Sequence, residues 1–335
     1  MRVRLADIAE RAGVSQATVS RVLSGKPVSD ATRESVLIAV DVLGYERPVT
    51  LRRRAAGLVG LVVPETTDLA FPQFTQAMDA VLAPRGYTMM LRSLASGVPE
   101  RDHVTALLDQ GAAGIVFVGG RHALVRTDVG RYVRLRERGM PLVLVNGYQA
   151  RVDAPAISVD DATAVDLAVT HLVELGHRQI GLALGPSGYT SAQRRTEQFR
   201  AVMRRLVPDV EPRRLVQHTC TSVEGGTSAG RELLAVGVTA VVAASDLMAL
   251  GVVRAASQAG LRVPADVSVV GSGDSVTMPF TDPPLTTVRE DVTAMGTAAA
   301  QALLDEIDHV PHSRIEALFP PELVVRGSTA RTPSR

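Results

Sequence analysis

DIAERAGVSQATVSRVL, residues 7–23, carries two short apolar periodicities separated by a glycine. Leu5, Ile8, Ala9 and Ala12 stand at i, i+3, i+4 and i+7, one face of a helix that Gly13 ends. Ser15 can cap a second helix, with Val19, Val22 and Leu23 turned inward and Gly25 stopping it. Further on, Ser29 caps a third helix, whose apolar positions are Val36, Ile38, Val40 and Leu43, ahead of Gly44. Only Gly13, Val14 and Ser15 lie between the first two helices, and so tight a glycine-containing connection is the signature of a helix-turn-helix. Small Ala9 and Ala12 let the two helices cross closely. Ser15 and Thr18 then sit where a recognition helix meets phosphate oxygens, assisted by the partial positive charge of the helix N-terminus. Gln16, Ala17 and Arg21 lie on or near its outward part, where side chains reach base edges in the major groove.

The charge distribution agrees. Residues 1–54 hold ten arginines and lysines against six acids, while the remaining chain holds 26 basic and 29 acidic residues. A basic head on a mildly acidic body is the electrostatic footprint of a unit that meets a polyanion. The arginines Arg52, Arg53 and Arg54 close the linker ERPVTLRRRAAG, residues 46–57.

Beyond the linker the pattern changes. Strand-length apolar runs occur at Leu58–Val63, Gly114–Val118, Leu142–Val145, Ile180–Leu184, Ala240–Ala244 and Val267–Val270. Helical segments ending in glycine alternate with them: VLAPRG, LLDQG, LRERG, LVELG, LLAVG and ASQAG. Continuous apolar strands alternating with helices imply parallel sheets covered on both faces. At this length, two similar lobes suit the segment better than one sheet. The tail after Arg326, GSTARTPSR, is polar and is expected to fray.

Several function classes are disfavoured. No run of 18 apolar residues suggests a membrane span. The N-terminus has positive charge but no apolar stretch of the secretory type, so the expected location is the cytoplasm, on the nucleoid. Cys220 is the only cysteine, so neither an intrachain disulfide nor a cysteine-rich zinc site can form. Tryptophan is absent and aromatic residues make up 3%, which argues against a stacking platform for single-stranded nucleic acid. His171, Glu174 and His177 suggest a metal site, but residues six apart diverge by about 240° around a helix. Gly181-x-x-x-Gly185 and Gly271-x-Gly273 do not complete a dinucleotide fingerprint. Ser187 and Ser272 lack a nucleophile elbow. The chain therefore reads as a non-enzyme needing no cofactor and no metal.

The sequence resembles the LacI/GalR family of bacterial transcriptional regulators over nearly its whole length. The resemblance rests on Asp7–Leu23, on His171–Ile180 (HLVELGHRQI), on Ser245–Gly251 (SDLMALG), on Gly260–Gly271 (GLRVPADVSVVG), on Pro283–Arg289 (PPLTTVR) and on Pro320–Thr329 (PPELVVRGST). It implies an N-terminal all-α headpiece at residues 1–45, a hinge linker at 46–57, and a two-lobed α/β domain of periplasmic-binding-protein type with parallel sheets at 58–330. One lobe would comprise about 58–157 and 288–317; the other, about 158–286 and 318–330, with a last strand near Leu323–Val325.

The resemblance also implies an effector in the cleft between the lobes, in this family most often a sugar. By position it nominates Asp68, Phe71, Asn146, Arg195, Ser245, Asp246 and Asp274 as effector contacts. Gly273 stands where a further carboxylate is frequent. In the linker, somewhat shorter than in many relatives, Leu51 is the candidate wedge for the minor groove, with Arg52 beside it on phosphate. The implied partners are double-stranded operator DNA, a small-molecule effector and a second copy of the chain in a homodimer, with no membrane. A solute-binding protein with the same body is the rival reading.

Overall fold

The computed structural model describes residues 3–23, 26–45, 57–64, 70–94, 97–311 and 315–332. Leu51 and Arg52 of the linker, and Asp68, lie outside these residues. The chain divides into two compact units, Met1–Ala56 and Gly57–Arg335.

The first unit holds α1 (Leu5–Ala12), α2 (Gln16–Leu23) and α3 (Asp30–Leu43). Gly13 ends α1 at φ 65°, a left-handed conformation that a Cβ would disfavour. This lets the Val14 amide return to the Ala9 carbonyl at 3.0 Å. Ser15 caps α2: its Oγ accepts from the Thr18 amide at 3.1 Å and lies 2.9 Å from the Thr18 hydroxyl. Ser29 does the same for α3 through the Thr32 amide. The core is Ile8, Ala9, Val19, Val22, Val36 and Ala39. Ile38 does not join it, being 57% exposed. The inward face runs through Val36, Ala39, Val40 and Leu43, and Ile38 lies about 200° around the helix from Val36.

The second unit contains two six-stranded sheets. The N-lobe sheet has the order β11-β5-β4-β3-β1-β2, from β1 (Gly57–Val63), β2 (Tyr87–Ser93), β3 (Ala112–Val118), β4 (Leu142–Val145), β5 (Ala156–Val159) and β11 (Glu316–Phe319). All its pairings are parallel. Alternation along β3 sends Val116 to the face covered by α4 (Phe71–Leu82) and α11 (Val292–Ile307). Ile115 and Phe117 go to the other face, under α5 (Glu100–Asp109) and α6 (Gly130–Glu137).

The C-lobe sheet has the order β12-β10-β9-β8-β6-β7, from β6 (Ile180–Leu184), β7 (Val216–His218), β8 (Ala240–Ala243), β9 (Ser268–Gly273), β10 (Thr286–Arg289) and β12 (Glu322–Val324). It is parallel except for the pairing of β10 with β12. Its helices are α7 (Asp161–Glu174), α8 (Thr190–Leu206), α9 (Val223–Ala235) and α10 (Asp246–Gln258). The last two meet backbone to backbone. A Cβ on Gly226 would come within 2.1 Å of the Met248 carbonyl oxygen, and one on Gly251 within 2.2 Å of that of Val223.

The chain passes between lobes three times: from β5 into α7, from β10 into α11, and from β11 to β12. β10 remains in the C-lobe sheet to Arg289 and β11 in the N-lobe sheet to Phe319, a little later in each case than the bounds read from the sequence. The lobes also touch where the loop after β3 pairs with the loop before α8. There the Val125 amide donates to the Gly188 carbonyl at 2.9 Å, and the Thr190 hydroxyl to that of Ala123 at 3.0 Å. Just ahead of this contact lies a buried polar cluster. Tyr132 donates to Glu100 at 2.7 Å and accepts from the His122 amide, while the His122 ring, 0% exposed, bonds the Val145 carbonyl through Nε2 at 3.1 Å.

The described part of the tail, residues 327–332, does not fray as its composition suggests. Ser328 is buried, donating to the Val269 carbonyl and accepting from the Thr286 amide. His177, also buried, contacts the hydroxyls of Thr239 and Ser268 and the carbonyl of Ala330. The Thr332 amide reaches the Leu175 carbonyl. Hydroxyls and backbone groups of the tail thus complete hydrogen bonds that the sheet's open end would otherwise leave unmade.

Candidate DNA interface and effector cleft

On the first unit, Gln16, Ala17 and Arg21 are exposed on α2, while Val19 and Val22 of the same helix are buried. Ser15 and Thr18 form the capped N-terminus beside them. The helix N-terminus leaves backbone amides unpaired within the helix, and these suit phosphate oxygens. Of the five residues nominated in the described headpiece, Ser15, Gln16, Ala17 and Thr18 thus lie at the N-terminal end of α2, and Arg21 lies exposed in its last turn.

In the body, two of the nominated residues end strands at the junction of the lobes in a left-handed conformation: Asn146 after β4 at φ 55° and Asp274 after β9 at φ 54°. Asn and Asp are the non-glycine residues that adopt it most readily. Asn146 is exposed, with its Oδ1 3.4 Å from the Val159 amide. Asp274 is gripped by two arginines, Arg289 at 2.7 Å and Arg326 at 2.6 Å. It lines a cleft of about 480 Å³ together with Gln73 from the N-lobe, Glu290 and Val292 at the second passage between lobes, and Glu322 at the third. A concave site of this volume at a lobe junction is a usual place for a small ligand.

The remaining nominees are engaged by the protein itself. Phe71 begins α4 and packs partly buried against the N-lobe core. Ser245 caps α10 through the Met248 amide at 3.2 Å. Asp246 is 2% exposed, and its carboxylate accepts from Thr287 at 2.6 Å and from the Ser275 amide and hydroxyl at 2.7 Å each. Burial pushes this carboxyl above its ordinary range, against the pull of those bonds. Such a group braces the strand ends that form the cleft wall.

Arg195, on α8, is also enclosed. Its Nε donates to Asp161 at 2.6 Å, Nη1 to the Ala244 carbonyl at 3.0 Å and to Ser272 at 3.3 Å, and Nη2 to Glu290 at 3.1 Å. Burial alone disfavours its charge, but the carboxylates of Asp161 and Glu290 outweigh that and hold it above its ordinary range. The preceding residue, Arg194, makes a two-pronged pair with Glu316 of β11 at 2.8 and 2.7 Å. Consecutive residues of one C-lobe helix thereby hold acids at or beside each of the three passages between lobes: Asp161, Glu290 and Glu316.

Reading along the sequence did not single out Asp161, Glu290, Arg194 or Glu316. The only local signal is the clustering of charge in RED, residues 289–291, and QRR, residues 193–195. Charge runs are mostly solvated surface.

Among the described residues, no helix is long and apolar enough to cross a membrane, and no group of three or more His, Cys, Asp or Glu is placed to hold a metal ion.

Comparison with known proteins places both units. Residues 4–47 match the family described as bacterial regulatory proteins, lacI family, and residues 169–329 match a periplasmic binding protein-like domain. The transcriptional regulator MalR of Streptomyces coelicolor is 54% identical over 338 residues, covering 99% of this chain and 98% of that one. A solved complex of the regulator CelR with cellobiose superposes with a TM-score of 0.73 at 30% identity, covering 98% of this chain and all of that one. The lac repressor dimer bound to operator and an anti-inducer gives 0.71 at 28% identity over the same share. The helix-turn-helix unit, the two-lobed body and these relatives together show that the chain is a DNA-binding transcriptional regulator belonging to the LacI family.

Proposed function

We propose that the protein is a homodimeric repressor whose hold on operator DNA is controlled by a small neutral sugar bound between the lobes. The observation that carries this reading is the joining, in one chain, of an exposed recognition helix to a body with a polar cleft at its lobe junction. Ser15 and Thr18 contact phosphate at the α2 N-terminus, Arg21 adds a charge-assisted contact, and Gln16 and Ala17 face the bases. Two headpieces read the halves of a pseudo-palindromic operator, with Leu51 and Arg52 of each linker in and beside the minor groove. Such a regulator works at the nucleoid. The solved relative with cellobiose supports a sugar as effector, and the one on operator supports the dimer. The ligand acts by binding one arrangement of the lobes more tightly than the other.

The test is a mobility-shift assay on DNA from the protein's own promoter region, with and without a panel of neutral mono- and disaccharides. Full-length protein gives a salt-sensitive shift that one sugar reverses, and the chain lacking residues 1–54 gives none while still binding that sugar. A shortened chain that shifts DNA as well as the full one overturns the assignment of α2. A panel without effect on the shift overturns the sugar.

A further inference from the structure

We propose that Glu290 decides which ligands the cleft accepts: its carboxylate covers the outward edge of Arg195, so the cleft takes uncharged polyhydroxy ligands and turns away sugar phosphates and sugar acids. The proposal rests on the cleft being the effector site. Arg195 offers a planar fork suited to a phosphate or carboxylate, yet it is absent from the cleft wall. It lines instead a void of about 10 Å³ that no such ligand could enter. Glu290, 16% exposed at its side chain, lies between the two, lining the cleft on one side and bonding Arg195 at 3.1 Å on the other. Ser272 fastens it there, donating to the same carboxylate oxygen at 2.9 Å. Asp161 accepts from a different nitrogen of the guanidinium, Nε, and is not part of the cleft wall.

The rest of the wall offers an anion no alternative. Its arginine, Arg289, is paired with both Asp274 and Glu322, and Asp291 caps α11 by accepting from the Ala294 amide. Among the described lining residues, carboxylates thus outnumber the single cation. An incoming phosphate would meet like charge at short range, where repulsion is little screened. Sugar hydroxyls, in contrast, donate well to carboxylate oxygens.

Calorimetric titration of the full-length protein with glucose, cellobiose, glucose 6-phosphate and gluconate tests this. Three variants are carried alongside, each checked for folding by circular dichroism: Glu290→Gln, Glu290→Ala and Asp161→Asn. Wild type shows no saturable binding of either anion at millimolar concentration. Both substitutions of Glu290 admit at least one anion, with a gain of about tenfold or more over wild type. Asp161→Asn removes the same charge from Arg195 but leaves its outward edge covered, so it continues to exclude anions. The proposal is overturned by wild type binding an anion as tightly as a neutral sugar. It is equally overturned if no Glu290 variant gains an anion, or if Asp161→Asn gains as much. If the Glu290 variants gain anions while no neutral sugar binds any form, the gating role of Glu290 stands and the neutral-sugar reading of the effector falls.

Discussion

Acid should weaken the body of this protein through one buried ring, His122. The imidazole is 0% exposed, edge-on to Phe117 and Tyr132, and bonds only a backbone carbonyl through Nε2. Its Nδ1 is buried without a hydrogen-bond partner. Burial therefore lowers its pKa from 6.5 to about 4, although the bond to Val145 resists the change. In the unfolded chain the ring takes up a proton near pH 6.5; in the folded protein it stays neutral until about pH 4. The unfolded state binds more protons throughout that window, so stability contributed by the neutral ring is present above pH 6.5 and is lost as pH falls toward 4. Between pH 7 and pH 5 the loss comes to about 2 kcal/mol, because each tenfold rise in proton activity below pH 6.5 favours the unfolded chain by about 1.4 kcal/mol. Urea unfolding followed by far-ultraviolet circular dichroism, at both pH values, measures it against His122→Gln, whose amide can still donate to Val145 but does not titrate. His171 and His177, also lowered by burial, are common to both proteins and cancel. Wild type should lose about 2 kcal/mol more than the variant. Parallel losses in the two proteins would refute the assignment.

Two further outcomes follow from packing and from the recognition helix. Gly226→Ala drives a methyl group into the backbone of α10 and should cost about 3 kcal/mol or more, read as a lowered Tm; an unchanged Tm would mean that α9 and α10 separate easily. Gln16→Ala should relax discrimination at one operator base pair by about 1–3 kcal/mol while leaving the salt dependence of binding unaltered, as measured by mobility shift on single-base operator variants.

The six strands legible as apolar runs are β1, β3, β4, β6, β8 and β9, which occupy the middle of the two sheets. Buried on both faces, they need no polar residue. The outer strands carry a mixed pattern: β2 reads YTMMLRS and β10 TTVR, sequences that equally suit a loop. The headpiece is legible almost to the residue because its periodicities and caps are local; only Ile38, apolar yet exposed, departs from the expected face. The cleft was less legible. Arg195 was nominated by its position, but its enclosure by Asp161 and Glu290 joins residues 34 and 95 positions away in the chain, which no local pattern records. The docked tail escaped notice for a related reason: serine and threonine look like solvent-facing residues until the buried groups they satisfy are known.

The three passages between lobes also govern the timing of synthesis. The N-lobe sheet waits for β11 at residues 316–319, and the C-lobe waits for β12 and the tail through Thr332, so a ribosome has made nearly the whole chain before either lobe can close. The headpiece, whose described core is drawn from Val3 to Tyr45, can fold many seconds earlier at about 5–20 residues per second. For that interval the nascent chain carries a finished reading head and no folded body. A stop codon anywhere from codon 316 to codon 332 would leave that condition permanent, stripping an edge strand or its fastening from the body while leaving the headpiece sequence intact.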